Sequence, residues 1–155
     1  GLPETERTAS ALAQHATMIA SGLEYFGERH TGNHLSNNGR GLYRLGLELG
    51  LPAAVNLGAK ILRHESRRLF MQSGILREGS SHYHLLLTRN YLDVTLAARR
   101  HGRSEQAEFE DIARKALGVA RELRLPGGFP LIGDISPDSP PQYLTCLSNA
   151  DIRAG

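Results

Sequence analysis

Two short stretches gather the side chains that can donate, accept or carry a proton: Thr31-Gly-Asn-His-Leu-Ser-Asn-Asn-Gly-Arg40 and Glu78-Gly-Ser-Ser-His-Tyr-His84. They bring an amide (Asn33), three imidazoles (His34, His82, His84) and a phenol (Tyr83) to what read as two loop-to-helix junctions. Imidazole is the side chain whose charge changes nearest neutral pH, and an amide supplies two N–H donors. We expect the two junctions to form one polar cleft, with the rest of the chain as its scaffold. His30-x-x-x-His34 has helical ligand spacing and His82-x-His84 is a common metal pair. Positions 30 and 34 straddle Gly32, however, and no Cys or nearby Asp completes a ligand set. No metal or other cofactor is expected. Ser80 and Ser81 sit in no nucleophile-elbow pattern, so a Ser–His–Asp hydrolase has no support.

The elements that must position these groups read as helices. Leu12, Ala16, Ile19, Leu23 and Phe26 alternate in steps of four and three, which predicts one buried stripe on a helix over residues 7–27. A second helix is expected over 33–49, with Leu35, Leu42, Leu45 and Leu49 inward, Gly50 ending it and Pro52 opening the next. Its Asn33, Asn37, Arg40 and Arg44 form one polar stripe. That stripe is either an ordinary solvated face or a cleft wall. Gly39, Gly41 and Gly46 favour the wall, because each glycine inside a helix costs about 1 kcal/mol against alanine and often marks close packing on a helix or ligand.

A third helix is predicted over 53–72, with Arg63, Glu65, Arg67 and Arg68 as a solvated face. A fourth is predicted over 82–100 with Ser80 or Ser81 as its N-cap, and a fifth from a Ser104 cap to Leu123. Leu86, Tyr91, Val94 and Ala98 should face the core from the fourth; Ile112, Ala116, Val119 and Leu123 should do so from the fifth. Pro126-Gly-Gly-Phe-Pro130 then ends helical periodicity. The expected fold is all-α, a set of antiparallel helical hairpins over residues 1–125 followed by an irregular Pro/Gly-rich tail over 126–155.

At 155 residues the chain is long enough for one domain with a real core. A net charge of +2 is too near neutral to predict a nucleic-acid partner, and Arg99-Arg-His-Gly-Arg103 reads as a helix C-terminus favoured by the macrodipole. A single cysteine rules out an internal disulfide framework. No run approaches the ~18 apolar residues of a membrane span, so no membrane partner is expected.

Asn33-His34, an arginine-containing helix, Gln72-x5-Glu78-Gly-Ser-Ser-x-Tyr83-His84 and Gly127-x-x-Pro130-x-Ile132-Gly133-Asp134 together resemble the helical domain of the heparinase II/III-like polysaccharide lyases. That superfamily includes heparinases and oligo-alginate lyases. The resemblance spans roughly residues 15–140, and its most specific part is the Glu-Gly-Ser-x-x-Tyr-His element, its tyrosine fifty residues after Asn33. It implies part of an incomplete (α/α) toroid leading toward an antiparallel β-sandwich, with a periplasmic or secreted location. Such lyases take a further catalytic histidine from outside this region, so the piece alone is expected to be weakly active or inactive. The helix faces meant for absent neighbours are expected to permit self-association.

The chemistry implied is β-elimination on uronate-containing glycans, from alginate to glycosaminoglycans. The C5 proton of the uronate is removed, the O4 glycosidic bond breaks, and a 4,5-unsaturated sugar remains. Charge then builds beside a carboxylate that is already negative, and preorganised donors there contribute about 3–4 kcal/mol each. By the resemblance Asn33 is that donor, Tyr83 the acid toward O4 or a base, and His34 a substrate contact or the base. Tyr83 as a base would need neighbouring cations such as Arg77 or Arg89. Asn37, Arg40, His82 and His84 complete the expected contacts to an anionic polysaccharide or oligosaccharide. Many relatives carry Glu where this chain has Asn37, which bears on substrate detail. The alternative functional class is a non-catalytic glycan-binding or scaffold protein of exopolysaccharide assembly that keeps the toroid. For Tyr83 alone, the competing account is a core tyrosine with a satisfied hydroxyl.

Overall fold

The computed structural model describes residues 3–136 and 139–149. In chain order they form α1 (Pro3–Ser21), α2 (His34–Leu49), α3 (Pro52–Leu69), α4 (Ser81–Arg100), α5 (Gln106–Glu122), a short α6 (Pro141–Leu144) and a 3-10 turn at Thr145–Asn149. Among the described residues the only extended pairings are two isolated bridges, Phe70–Leu76 and Leu125–Gly128. The fold is all-α. The chain divides into two compact units, Gly1–Glu65 and Ser66–Gly155.

In the first unit α1 starts earlier than its apolar stripe and stops sooner. Pro3 stands at the first helical position, where its missing N–H costs nothing, and Glu4 and Glu6 face the positive end of the helix. The expected run to residue 27 ends instead at Ser21. The Gly22 amide still bonds back to Met18, but the next donors go to side chains further along. The Glu24 amide donates to Asn38 Oδ1 at 2.9 Å and the Phe26 amide to Thr31 Oγ1 at 2.9 Å. Phe26 is consequently 66% exposed rather than buried, and Leu12 is also at the surface. Ala16 stays in the core with Leu35, Leu42 and Ile61, and Ile19 and Leu23 pack against them.

The close crossing of α2 and α3 is made by glycines. A methyl group on Gly58 would stand 2.6 Å from the Tyr43 nitrogen and 2.7 Å from the Gly39 carbonyl oxygen. On Gly46 it would stand 2.6 Å from the Val55 nitrogen, and on Gly39 2.7 Å from an Ile61 side-chain carbon. Residues 39, 43 and 46 thus meet 61, 58 and 55, so the two helices are antiparallel with backbones nearly touching. Gly50, in the left-handed region at φ 64°, closes α2 by returning its amide to Gly46. On α3 the expected solvated face fails at Glu65, which is fully buried. A buried carboxylate needs a partner, and His64 Nδ1 lies 3.0 Å from it while His64 Nε2 reaches Glu28 at 3.3 Å.

The second unit is built on α4, which is buried around most of its circumference. Helix α5 runs antiparallel to it, with Arg99 beside Glu110 at 3.5 Å at one end and His84 bonded to Ala116 toward the other. The buried face of α5 is Phe109, Ala113, Ala116, Leu117 and Ala120, rotated from the expected set. Small side chains there let the helices approach closely. Ser104 does not cap α5: its hydroxyl lies 3.2 Å from Glu105, a buried carboxylate also held by Arg103 at 3.0 Å. Helix α3 ends at Leu69 rather than 72, because the Met71 amide turns to the Ile75 carbonyl and the chain folds back through Phe70–Leu76. The tail is ordered where described, and Leu144 of α6 is buried with Leu85 and Ala120.

Candidate functional site

The start of α2 is held by a compact loop. Gly27 adopts φ 86° and accepts the amides of His30 and Thr31 at 3.2 and 3.1 Å. The buried Thr31 hydroxyl donates to the Gly27 carbonyl at 2.8 Å. This turn leaves Tyr25 and Phe26 facing out and sets Glu24 against α2. Glu24 Oε2 lies 2.8 Å from His34 Nδ1. A carboxylate at neutral pH can only accept, so Nδ1 carries the proton in this pair and the neutral ring keeps its lone pair on Nε2. His34 is exposed, Asn33 half-buried at the helix N-cap without capping it by its side chain, Asn37 exposed and Arg40 half-buried. Arg44 pairs with Glu48 at 3.6 Å, the ordinary solvated-face arrangement.

At the start of α4, Ser80 is the N-cap and accepts the Tyr83 amide at 3.0 Å. Residues 130–136 are clasped over this first turn. The Ser80 hydroxyl donates to the Asp134 carbonyl at 2.6 Å and the Ser81 hydroxyl to the Pro130 carbonyl at 2.7 Å. Ser81 and Ile132 also exchange backbone and side-chain bonds, and the Ser136 amide donates to His82 Nδ1 at 3.0 Å. Gly133, at φ 74°, lies so near Gly79 that a methyl group would stand 2.9 Å from its carbonyl oxygen. The Gly-x-x-Pro-x-Ile-Gly-Asp stretch therefore fastens the helix start.

Two of the expected contacts, His82 and His84, lie inside the fold. His82 is fully buried with Nδ1 accepting from Ser136, and its Nε2 has no hydrogen-bond partner among the described residues. His84 is equally buried, with Nε2 donating to the Ala116 carbonyl at 2.9 Å and Nδ1 accepting from Leu76 at 3.3 Å. Burial pushes the His84 pKa below its ordinary value, and the Ala116 bond opposes this less strongly. Both rings are thus buried and hydrogen-bonded within the fold. Tyr83 between them is half-buried, and its hydroxyl makes no hydrogen bond to a described residue.

Of the two arginines expected beside Tyr83, Arg89 is turned to another side of α4. Arg89 lies six residues along α4, about 9 Å further and roughly 240° around the helix. Its Nε is buried without a hydrogen-bond partner among the described residues. Arg77 lines a groove with Arg67, Asp111 and Lys115, to which Tyr83 does not contribute. The residue missed from sequence is Glu24, hidden inside the expected first helix; Gly22 was the available signal that the helix breaks before it.

Among the described residues no cluster of three or more His, Cys, Asp or Glu is placed to hold a metal, and no helix is long and apolar enough to cross a membrane. The chain matches no protein-family model, no curated protein and no solved structure.

Proposed function

We propose that the chain is a heparinase II/III-like polysaccharide lyase, its antiparallel hairpins part of an incomplete (α/α) toroid, acting on uronate glycans by β-elimination. The observation that carries this reading is the Glu24–His34 pair at 2.8 Å beside Asn33. It supplies a lone pair on Nε2, held in one tautomer by a carboxylate, next to an amide donor. In the reaction Asn33 donates to the uronate carboxylate. His34 Nε2 takes the C5 proton, and the released electron pair moves first toward the carboxylate and then into a C4–C5 double bond. The C4–O4 bond breaks as the Tyr83 hydroxyl gives its proton to the leaving oxygen. Tyr83 suits the acid role because its hydroxyl makes no hydrogen bond to a described residue, and no water is consumed. The exposed faces of Tyr25 and Phe26, on the loop that carries Glu24, suit stacking on a sugar ring. The proposal requires Asn33, His34 and Tyr83 to flank one sugar.

The test incubates the full-length protein with alginate, heparan sulfate and other uronate glycans while following the ultraviolet absorbance of the unsaturated product. Wild type should release it. Tyr83→Phe should lower the rate by about 10²–10⁴, the usual contribution of a positioned acid or base, with glycan binding nearly intact. Binding without product from any of these glycans refutes the lyase and supports the non-catalytic scaffold. Equal rates for Tyr83→Phe and wild type remove Tyr83 from the mechanism.

A further inference from the structure

We infer that the groove between the end of α3, the loop following it and α5 binds a small oxyanion-bearing ligand, a carboxylate, sulfate or phosphate ester on a compact body. This is independent of the lyase reading. The groove has a volume of about 320 Å³, near the lower end for small-molecule sites. Arg67 and Arg77 line it, both exposed, and neither has an ion-pair partner among the described residues. Guanidinium groups in that condition match oxyanions bidentately, which ammonium groups do not.

The one carboxylate lining the groove does not cancel them. Asp111 is held by Lys115 at 2.6 Å and by Arg114, and the Lys115 bond foremost keeps its pKa below the usual carboxylate value. Lys115 and the exposed amide of Gln72 add donors, while Phe70 and Ile112 supply apolar lining for the body of a ligand.

The loop carrying Arg77 is fixed before any ligand arrives. Gly74, at φ 93°, lies on the backbone of α5, where a methyl group would stand 2.6 Å from the Lys115 carbonyl carbon. The Met71 amide bonds to Ile75 and the Arg77 amide to the Leu69 carbonyl, each at 2.8 Å. The Ser66 carbonyl takes the Phe70 amide, so these groups at the end of α3 are already occupied. Preorganised donors lower the ordering cost of binding.

The experiment titrates the whole chain with inorganic sulfate, inorganic phosphate, glucuronate and glucosamine 6-sulfate, following arginine Nε–H resonances and binding heat. Saturable binding that shifts Arg67 and Arg77 is expected, and the tighter probe identifies carboxylate or ester as the natural group. Arg67→Gln and Arg77→Gln should each weaken binding about tenfold, as loss of one charge-assisted hydrogen-bonding group does. Arg100→Gln, exposed on α4 outside the groove, should change it less than about twofold. No saturable binding of any probe would overturn the inference, as would equal weakening by Arg100→Gln and Arg77→Gln. Circular dichroism of the variants should be unchanged, since all three side chains are at or near the surface.

Discussion

Replacing Gly58 by alanine sets a helix-propensity gain against a backbone collision, and the structure decides the sign. The new Cβ would lie 2.6 Å from the Tyr43 nitrogen, 2.7 Å from the Gly39 oxygen and 2.9 Å from the Tyr43 Cα. Carbon contacts are comfortable from about 3.5 Å, so α2 and α3 must separate by somewhat under ~1 Å. All three obstructing atoms are backbone, and no rotamer change relieves them. Overpacking of this kind costs about 1–3 kcal/mol, and separation also loosens the Gly39–Ile61 and Gly46–Val55 contacts. Alanine returns about 1 kcal/mol of propensity. The net expectation is a loss of roughly 1–2 kcal/mol, five- to thirtyfold in the folded-to-unfolded ratio. Gly118 in α5 is the internal control, because a methyl group there meets nothing within 4 Å. Gly118→Ala should therefore stabilise by about 0.5–1 kcal/mol. Urea unfolding followed by far-ultraviolet circular dichroism reads both. Gly58→Ala at or above wild-type stability would refute the close crossing.

The Glu24–His34 pair predicts that ring ¹⁵N shifts of neutral His34 report a proton on Nδ1. Glu24→Gln should blur that preference and change stability by no more than ~0.5 kcal/mol, since the pair is solvent-exposed; a wild-type ring protonated on Nε2 would sink the tautomer argument. His84 predicts a pH dependence of stability. Its folded pKa lies below the 6.5 of the free side chain, so below pH 6.5 the unfolded chain binds a proton that the folded chain refuses. Its contribution to stability is therefore intact above 6.5 and is lost as pH falls through the window beneath. A His84 ring that titrates at 6.5 in the folded protein would contradict its burial.

Where the helices lie was largely legible, and where they end was not. Stops at Gly50 and Gly102 and starts at Pro52 and Ser80 are local signals, written in residues that cap or open helices whatever surrounds them. The end of α1 is not local: it depends on Asn38 and Thr31 capturing amides from residues 24 and 26. Periodicity carried the expected helix straight through that point, and Glu24 was lost with it. Gly39 and Gly46 do mark close packing, whereas Gly41 meets only an Ile19 carbon at 3.3 Å. Gly58 could not be singled out without knowing which helix it faced.

The histidines flanking Tyr83 could not all have joined one cleft, and helix geometry alone says why. Successive residues of an α-helix point about 100° apart, so positions 82, 83 and 84 fan across roughly 200°. Once Ser80 caps α4, the three rings must face three directions, and a helix buried on most sides turns some of them inward. A buried imidazole then has to spend its nitrogens on the fold. His84 does so on Ala116 and Leu76, and His82 on Ser136 through one nitrogen. Tyr83 is left as the ring between them whose polar atom bonds to no described residue. Gly79, Ser80, Ser81 and His82 thus meet the clasp, which fixes the start of the helix that carries Tyr83. A substitution at Ser81 should accordingly disturb Tyr83 by loosening residues 130–136, without touching any group proposed to meet the sugar.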